Sequence, residues 1–532
     1  MIHINFGAKV ATPGNFRMTL GTGTENKYVV TAVTDNGEES VASNEVSSND
    51  GSTFAWNSVA GADYYNIYKD SNRSGFFGWI GQANELNFSE PSSGIIADME
   101  KSYPIYKNYF DGEGKYPGVV MFFEQRLIYA RSNEEPQTVW GSVTASFENM
   151  NISSPLRADD SYSFTLNASQ VNEIRTLTAI NDLIIGSSGG EWRMSAGSGS
   201  DAITPSSVKV TRQSQWGSSH LVPIIIGNTV IFVEGSGTVV RDLLYSLEQD
   251  GYTGADLSLL ASHLMEDQKI ISWSYQQFPD SIIWCVRSDG VLLGLTYYRD
   301  HKIFGWHKQI TDGKFLDVCS VRDNDGNDET YFIIEREING LKKQYIEKFT
   351  SRNFDNDIKN AFFVDCGLTY KGAAVKTISG LDHLEGKTVV ALADGNVIKN
   401  LTVTGGSVAI MNASEIIHIG LPFESKMETL DIEFPVNAAS NTAQNIVRSI
   451  KTLTIRLKDT RGLFVGPDMD NLVEVPFRTN EPLGEPIKLF SGDKKVNILT
   501  GSLEDARVVF YNADPVPVSL LSFVAEVEYA GA

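Results

Sequence analysis

The run Asp323-Asn324-Asp325-Gly326-Asn327-Asp328 is the densest group of oxygen donors in the chain. A calcium loop of the Asp-x-Asp/Asn-x-Asp/Asn-Gly type needs an oxygen ligand at its first position and a glutamate at its twelfth. Those positions hold Val321 and Phe332, so the run reads as a solvated hairpin tip. Among the seven histidines, His301 and His307 flank one strand-like segment. Their spacing fits no usual zinc pair, and a surface or hydrogen-bonded structural role is expected. Nucleophilic catalysis of the serine-hydrolase kind would place Gly-x-Ser-x-Gly on a strand-to-helix elbow. Gly197-Ser198-Gly199-Ser200 and Gly235-Ser236-Gly237-Thr238 do not meet that pattern, and no Gly-x-x-x-x-Gly-Lys-Ser/Thr phosphate loop is present.

Glycoside hydrolysis needs two carboxylates across one sugar bond. The adjacent pairs Glu38-Glu39, Glu134-Glu135 and Asp159-Asp160 cannot serve alone, because neighbours on a strand point to opposite faces. The Ser-x-Asp-x-Gly-x-x-Trp repeat of sialidase propellers is missing. Trp79, Trp216 and Trp273 offer faces on which a sugar would stack, although core packing is the commoner fate of a strand tryptophan. No catalytic, cofactor-binding or metal-binding residue is therefore assigned, and the chain is not expected to be an enzyme.

The totals point the same way. Lys plus Arg is 44 against 66 Asp plus Glu, a formal charge of -22. Gripping nucleic acid through its phosphates calls for a basic excess or stripe, so tight electrostatic binding of nucleic acid is excluded as the main activity. Cys285, Cys319 and Cys366 are far apart and odd in number, and are expected to be buried small hydrophobes rather than a disulfide framework. Assembly in a reducing cytoplasm is the matching expectation. The first residues carry no basic region followed by an apolar core, so no signal peptide is expected. No apolar run is long enough to span a bilayer.

What would position any site is a long series of sheets. Ser281 to Gln309 reads as three strands, the first two separated by Asp289-Gly290, and Phe315 to Phe349 repeats the plan with a turn at Asn339-Gly340. Similar units occur at Val119 to Ser142, Thr176 to Met194 and Pro223 to Arg241. About five units recur at roughly 40 to 50 residues, the spacing radial sheet repeats require. The predicted class is all-β: a β-propeller-like platform, an inserted or appended fibronectin III-like sandwich, and further small β domains. The predicted divisions are an N-terminal segment (1–21), the sandwich (22–98), the propeller core (99–365), a small β domain (366–435) and a C-terminal β region (436–532). In the sandwich, Trp56, Val59, Gly61-Ala62, Tyr65 and Ile67 have the spacing of neighbouring fibronectin type III strands, in an order permuted relative to a standard domain. Asn437 to Asn445 is read as a spacer, and the C-terminal strands are expected to complete the ring or cover its edge. Arg241 to Met265 is the best helix candidate, from the spacing of its leucines, with Asp256 as N-cap.

A set of segments carries a resemblance. It comprises Arg126-Leu-Ile-Tyr-Ala-Arg131, Val139-Trp-Gly-Ser142, Ile185-Gly-Ser-Ser-Gly-Gly-Glu-Trp192, Ile203-Thr-Pro-Ser-Ser207, Asp256 to Leu264, Ser288 to Tyr297 and Phe304-Gly-Trp-His307. It continues through Tyr345-Ile-Glu-Lys348, Gly380 to Val389 and Pro515 to Leu521. Together they resemble the tail nozzle proteins of short-tailed bacteriophages, the tail tubular or packaged-DNA stabilisation type, over most of the chain after about residue 116. The N-terminal part departs from that pattern.

The resemblance implies a structural virion protein in the viral tail, assembled in the host cytoplasm. Its implied form is a homohexamer docked on the portal-adaptor complex. Its channel would retain packaged double-stranded DNA and pass it during DNA ejection without sequence-specific binding, and its outside would hold tail fibres or a needle. The rival readings are a propeller-type glycan hydrolase and a non-catalytic host-glycan adhesin.

Overall fold

The computed structural model describes residues 10–529 except 22, 24, 36, 72–73, 106, 169, 198–201, 435–445, 483 and 499–505. The chain is nearly all β and divides into two compact units, Met1–Ile270 and Ile271–Ala532.

The first unit opens with a two-sheet sandwich. Its strands are β1 (Arg17–Thr19), β2 (Glu25–Thr34), β3 (Val46–Asn49), β4 (Thr53–Ala55), β5 (Ala62–Asp70), β6 (Gly78–Ala83) and β7 (Asn87–Ser89). One sheet runs β1-β4-β7 and the other β3-β2-β5-β6, all pairs antiparallel. The β2–β3 hairpin thus joins β5 and β6 while β4 enters the opposite sheet. Alternation along β2 and β5 sends Tyr28, Val30, Ala32, Tyr65 and Ile67 inward against Phe16, Phe54 and Trp56. Phe16 stacks on Phe54 at 5.5 Å between ring centroids. Because Val10 and Phe16 belong to this core and β1 pairs with β4, the sandwich starts before residue 22. Residues 1–9 of the predicted N-terminal segment are outside the described residues.

Three four-stranded sheets follow in the first unit. Strands Val119–Phe123, Arg126–Ala130, Thr138–Gly141 and Tyr162–Thr165 form one. Ile174–Ala179, Leu183–Ser187, Gly190–Ala196 and Val208–Arg212 form the next, and Ile224–Ile226, Thr229–Val233, Val240–Ser246 and Gly251–Thr253 the last. Period two explains how they stack. Leu183 and Ile185 pack with Ile128 and Val139 of the preceding sheet, whereas Ile184 between them packs with Val230, Phe232 and Leu243 of the following one. Both faces of the central strand are buried, each such side chain contributing about 1.5–3 kcal/mol.

The helix expected over Arg241 to Met265 is not there. Val240–Ser246 is a strand, and only Leu259–Leu264 winds, as a 3-10 turn whose N-cap is Ser258 rather than Asp256. Buried Val240 and Leu243 are claimed by sheet packing, and Asp242 fixes the return of the chain by accepting from the Ala255 amide at 2.7 Å. Asp256 instead accepts from the Ser258 amide and hydroxyl.

In the second unit, Ile270–Gln276, Ile282–Arg287, Leu292–Tyr298 and Ile303–Gln309 make a four-stranded meander. Lys314–Arg322, Asp328–Ile338 and Leu341–Lys348 make a three-stranded one. They share a core of Ile282, Trp284, Val286, Leu292, Phe315, Val318, Phe332 and Ile334. The turns fall at the dipeptides expected: Gly290 has φ 92, and Asn339 and Gly340 both have positive φ, 51 and 74, as a two-residue hairpin loop requires.

Next, Asp365–Ser379, Thr388–Ala393, Asn396–Thr402 and Ser407–Leu421 form a separate sheet with its own core. The C-terminal strands do not return to the repeats. Ser425–Glu428, Val509–Asn512, Phe464–Gly466 and Val473–Glu474 form one sheet, and Phe490–Asn497, Arg448–Thr460 and Leu520–Tyr529 another. Alternation in Arg448–Thr460 turns Leu453, Ile455 and Leu457 onto Val465, Val475 and Phe510, giving these strands a core of their own. Among the described residues no closed propeller is detected. The break before this region falls near residue 424, ahead of the predicted spacer, and the spacer itself is outside the described residues.

Candidate functional site

One concave polar surface is a depression of about 480 Å³ at the second and third of the three four-stranded sheets that follow the sandwich. Arg193 pairs with Thr211 across two strands, and Ser195 with Lys209. Alternation points these four to one face while Trp192 and Met194 enter the core behind them. Gln249, Asp250, Gly251 and Tyr252 close the other side. Arg193 Nε lies 2.8 Å from Asp182 Oδ2, and its guanidinium sits 5.4 Å from the Tyr245 ring centre. The Tyr245 hydroxyl donates to Asp250 Oδ1 at 2.7 Å. That bond, with Arg193 nearby, holds the Asp250 carboxyl below its ordinary range. Arg212 lies over the Trp192 ring at 5.7 Å, and Lys209 is exposed.

Such a surface offers charge and hydrogen bonds to a polar or anionic group. Asp250 is the one carboxylate among the residues lining it, whereas acid-base cleavage of a glycoside uses two.

The residues singled out from sequence lie apart from this depression. Asp323 Oδ1 accepts from the amides of Asp325 and Asn327 at 2.8 and 2.9 Å, and Asp328 Oδ2 accepts from the amides of Gln277 and Phe278. The acidic run is a hairpin tip held by its own carboxylates, and among the described residues no group of three metal-ligating side chains occurs. His301 is exposed. His307 packs edge-on against Trp284 at 5.4 Å, and burial pushes its pKa down. Gly294 makes room for that ring, since a Cβ there would overlap the imidazole.

Glu39 accepts from Thr31 Oγ1, Tyr68 and Asn66, while Glu38 lies 3.4 Å from Asn149 Nδ2. Asp160 is buried and accepts from Ser153 and the Arg157 amide. Asp159, Glu134 and Glu135 are exposed. None of the three pairs aims two carboxylates at one point. Trp79 donates to Asn66 Oδ1, Trp216 is covered by the Arg241 guanidinium at 4.3 Å, and Trp273 is half-buried. Of the cysteines only Cys285 is a buried hydrophobe. Cys319 is exposed and Cys366 intermediate, and all three are free thiols, because Cys319 falls on the outward phase of its strand.

Sequence reasoning missed Arg193, Lys209 and Arg212, although the alternation of Arg193 with Trp192 and Met194 was a usable signal. It also missed Asp50, Lys69 and Glu90, which meet inside the sandwich; no local spacing joins them.

No protein-family profile matches this chain, and no curated protein matches it. Among solved structures it is similar to Raptor from Chaetomium thermophilum, with 14% identity and a TM-score of 0.29, over 59% of this chain and 28% of Raptor. It is also similar to a protein from Lactobacillus plantarum, with 10% identity and a TM-score of 0.26, over 61% of this chain and 96% of that one. The match to Raptor therefore spans less than a third of the Raptor length. Neither likeness, at these scores, bears on function. No helix among the described residues is long and apolar enough to cross a membrane.

Proposed function

We propose that this chain is a structural protein of a short bacteriophage tail, a subunit of the distal nozzle through which packaged DNA leaves. The observation that carries the reading is where the resembling segments fall. Arg126–Ala130, Thr138–Gly141, Leu183–Ser187, Gly190–Ala196, Leu292–Tyr298 and Ile303–Gln309 are strands of the repeated sheets, so the likeness lies in a rigid scaffold rather than in a reaction centre. In this reading the subunit forms a homohexamer, docks on the portal-adaptor complex and carries fibres or a needle.

The charge of -22 suits a conduit. DNA moving past basic side chains would be held by phosphate contacts, each releasing counterions, whereas an acidic wall lowers that friction. Electron microscopy of the purified protein with and without the tail-adaptor complex tests the proposal. A six-fold ring at the tail tip, wide enough for duplex DNA, is expected. Monomers that ignore the adaptor, together with glycan cleavage or binding by the isolated chain, would overturn it in favour of a hydrolase or an adhesin.

A further inference from the structure

The sandwich buries three ionisable side chains against one another. Lys69, at the end of β5, has 4% of its side chain exposed, and Glu90, just after β7, has none. Asp50, in the turn from β3 to β4, has 16%. Lys69 Nζ lies 2.5 Å from Asp50 Oδ1 and 2.8 Å from Glu90 Oε1, and it also donates to the Ile95 carbonyl at 3.2 Å. Asn26 Nδ2 donates to Asp50 Oδ1 at 2.8 Å. The Tyr28 hydroxyl donates to Glu90 Oε2 at 2.7 Å, and burial, reinforced by Glu90, pushes the phenol's pKa far up so that it stays protonated.

The backbone is built around Asp50. A Cβ on Gly23 would overlap Asp50 Cβ, and one on Gly94 would lie 2.9 Å from Asp50 Cγ. Gly94 also has φ +72, a conformation that glycine adopts freely. These close approaches fix the carboxyl beside the amine, and fixed juxtaposition of two reactants is itself a large part of a rate enhancement.

We propose that Lys69 and Asp50 condense to an intramolecular isopeptide bond, with Glu90 carrying the proton. The Lys69 ammonium gives a proton to Glu90 Oε1, its contact at 2.8 Å. The freed amine attacks Asp50 Cγ, forming the C–N bond, while Asn26 steadies the developing charge on Oδ1. Glu90 returns that proton to the departing Asp50 oxygen, then takes a second one from the nitrogen and passes it to the same oxygen. The C–O bond breaks and the oxygen leaves as water. One ammonium and one carboxylate become one amide and one water, so atoms and charge balance with no oxidant or co-reactant. The bond would tie β5 of the four-stranded sheet to the β3–β4 turn, which leads into the other sheet. This inference does not rest on the nozzle reading.

Mass spectrometry of the intact, denatured full chain tests it. The expected mass is one water below that of the sequence, and digestion should yield a branched peptide joining the segments that contain Asp50 and Lys69. Lys69→Met and Glu90→Gln should each restore the full sequence mass, and Asp50→Asn should lose one ammonia instead of one water. Asp50 precedes Gly51, and a succinimide at that pair would also cost one water. It would persist in Lys69→Met and give no branched peptide, and that result overturns the proposal. A wild-type mass equal to that of the sequence overturns it as well. The branched peptide is sought in the wild-type chain, so its presence or absence decides the matter even where a variant fails to fold.

Discussion

The chain carries two sandwiches built by opposite means. The one near the N-terminus packs aromatic rings, Phe16, Tyr28, Phe54, Trp56 and Tyr65, and sinks a lysine and a glutamate beside them. The C-terminal one fills its interior mainly with aliphatic residues such as Ile450, Leu453, Ile455, Leu457 and Val465, with Phe477 and Phe510 among them. It keeps many of its ion pairs outside: Arg456 meets Asp493 in a bidentate pair at 2.8 and 2.9 Å on an exposed face. A mainly aliphatic core evidently suffices to hold two small sheets together. A buried ion pair is often matched or bettered by apolar residues of the same volume, so the Lys69 cluster calls for a cause other than stability alone. It joins the ends of β2, β5 and β7 and the β3–β4 turn at one point, which gives it a role in registry, in reaction, or in both.

Removing one member of that cluster should have the largest effect. Lys69→Ala strands Glu90 and Asp50, removing the cation of the unreacted cluster or the amide of the condensed one, and should destabilise the sandwich by about 3–5 kcal/mol, the usual cost of breaking a buried pair. Amide hydrogen exchange read along β2 and β5 measures it locally, which matters because a chain of two units need not unfold in one step. The counterpart is Leu453→Ala in the C-terminal core, with an expected cost of about 2–5 kcal/mol from lost burial and the cavity left behind, read along Arg448–Thr460. If Lys69→Ala instead left β2 and β5 protected as before, the ionic cluster would be a passenger and the contrast between the two sandwiches would collapse.

Tyr28→Phe sharpens the comparison. It keeps the ring against Phe54, 4.5 Å away, and removes only the hydroxyl that donates to Glu90. A hydrogen bond to a charged group contributes about 1.5–3 kcal/mol, so the loss should be smaller than that of Lys69→Ala and confined to the first sandwich. A loss as large as that of Lys69→Ala would mean the phenol, and not the amine, anchors the cluster.

What the sequence disclosed follows the same divide between local and long-range causes. The Asp289-Gly290 and Asn339-Gly340 turns were legible because two adjacent residues determine the hairpin. The unit containing Leu183, Ile184 and Ile185 was legible as strand, though not that its two faces would serve different sheets. Leu243 and Leu244 misled because a pair of adjacent apolar residues suits a helix as well as a strand buried on both faces. The separate core of the C-terminal strands was hidden, since alternation tells which face is apolar and not which sheet will cover it. The Asp50, Lys69 and Glu90 cluster lay furthest from view: its members are 19 and 21 positions apart and come together only after two sheets have folded.

The smallest expected effect is at the exposed pair. Arg456 and Asp493 are well matched in geometry, yet both ends are hydrated and each side chain gives up rotamer freedom to hold the other. Arg456→Ala should leave hydrogen exchange in Arg448–Thr460 unchanged within error, and high salt should leave the wild-type protein equally unmoved, since exposed charges are already largely screened. A marked, salt-sensitive loss would show that the C-terminal sandwich also depends on charge. The two sandwiches would then differ in where they place their ions and not in whether they need them.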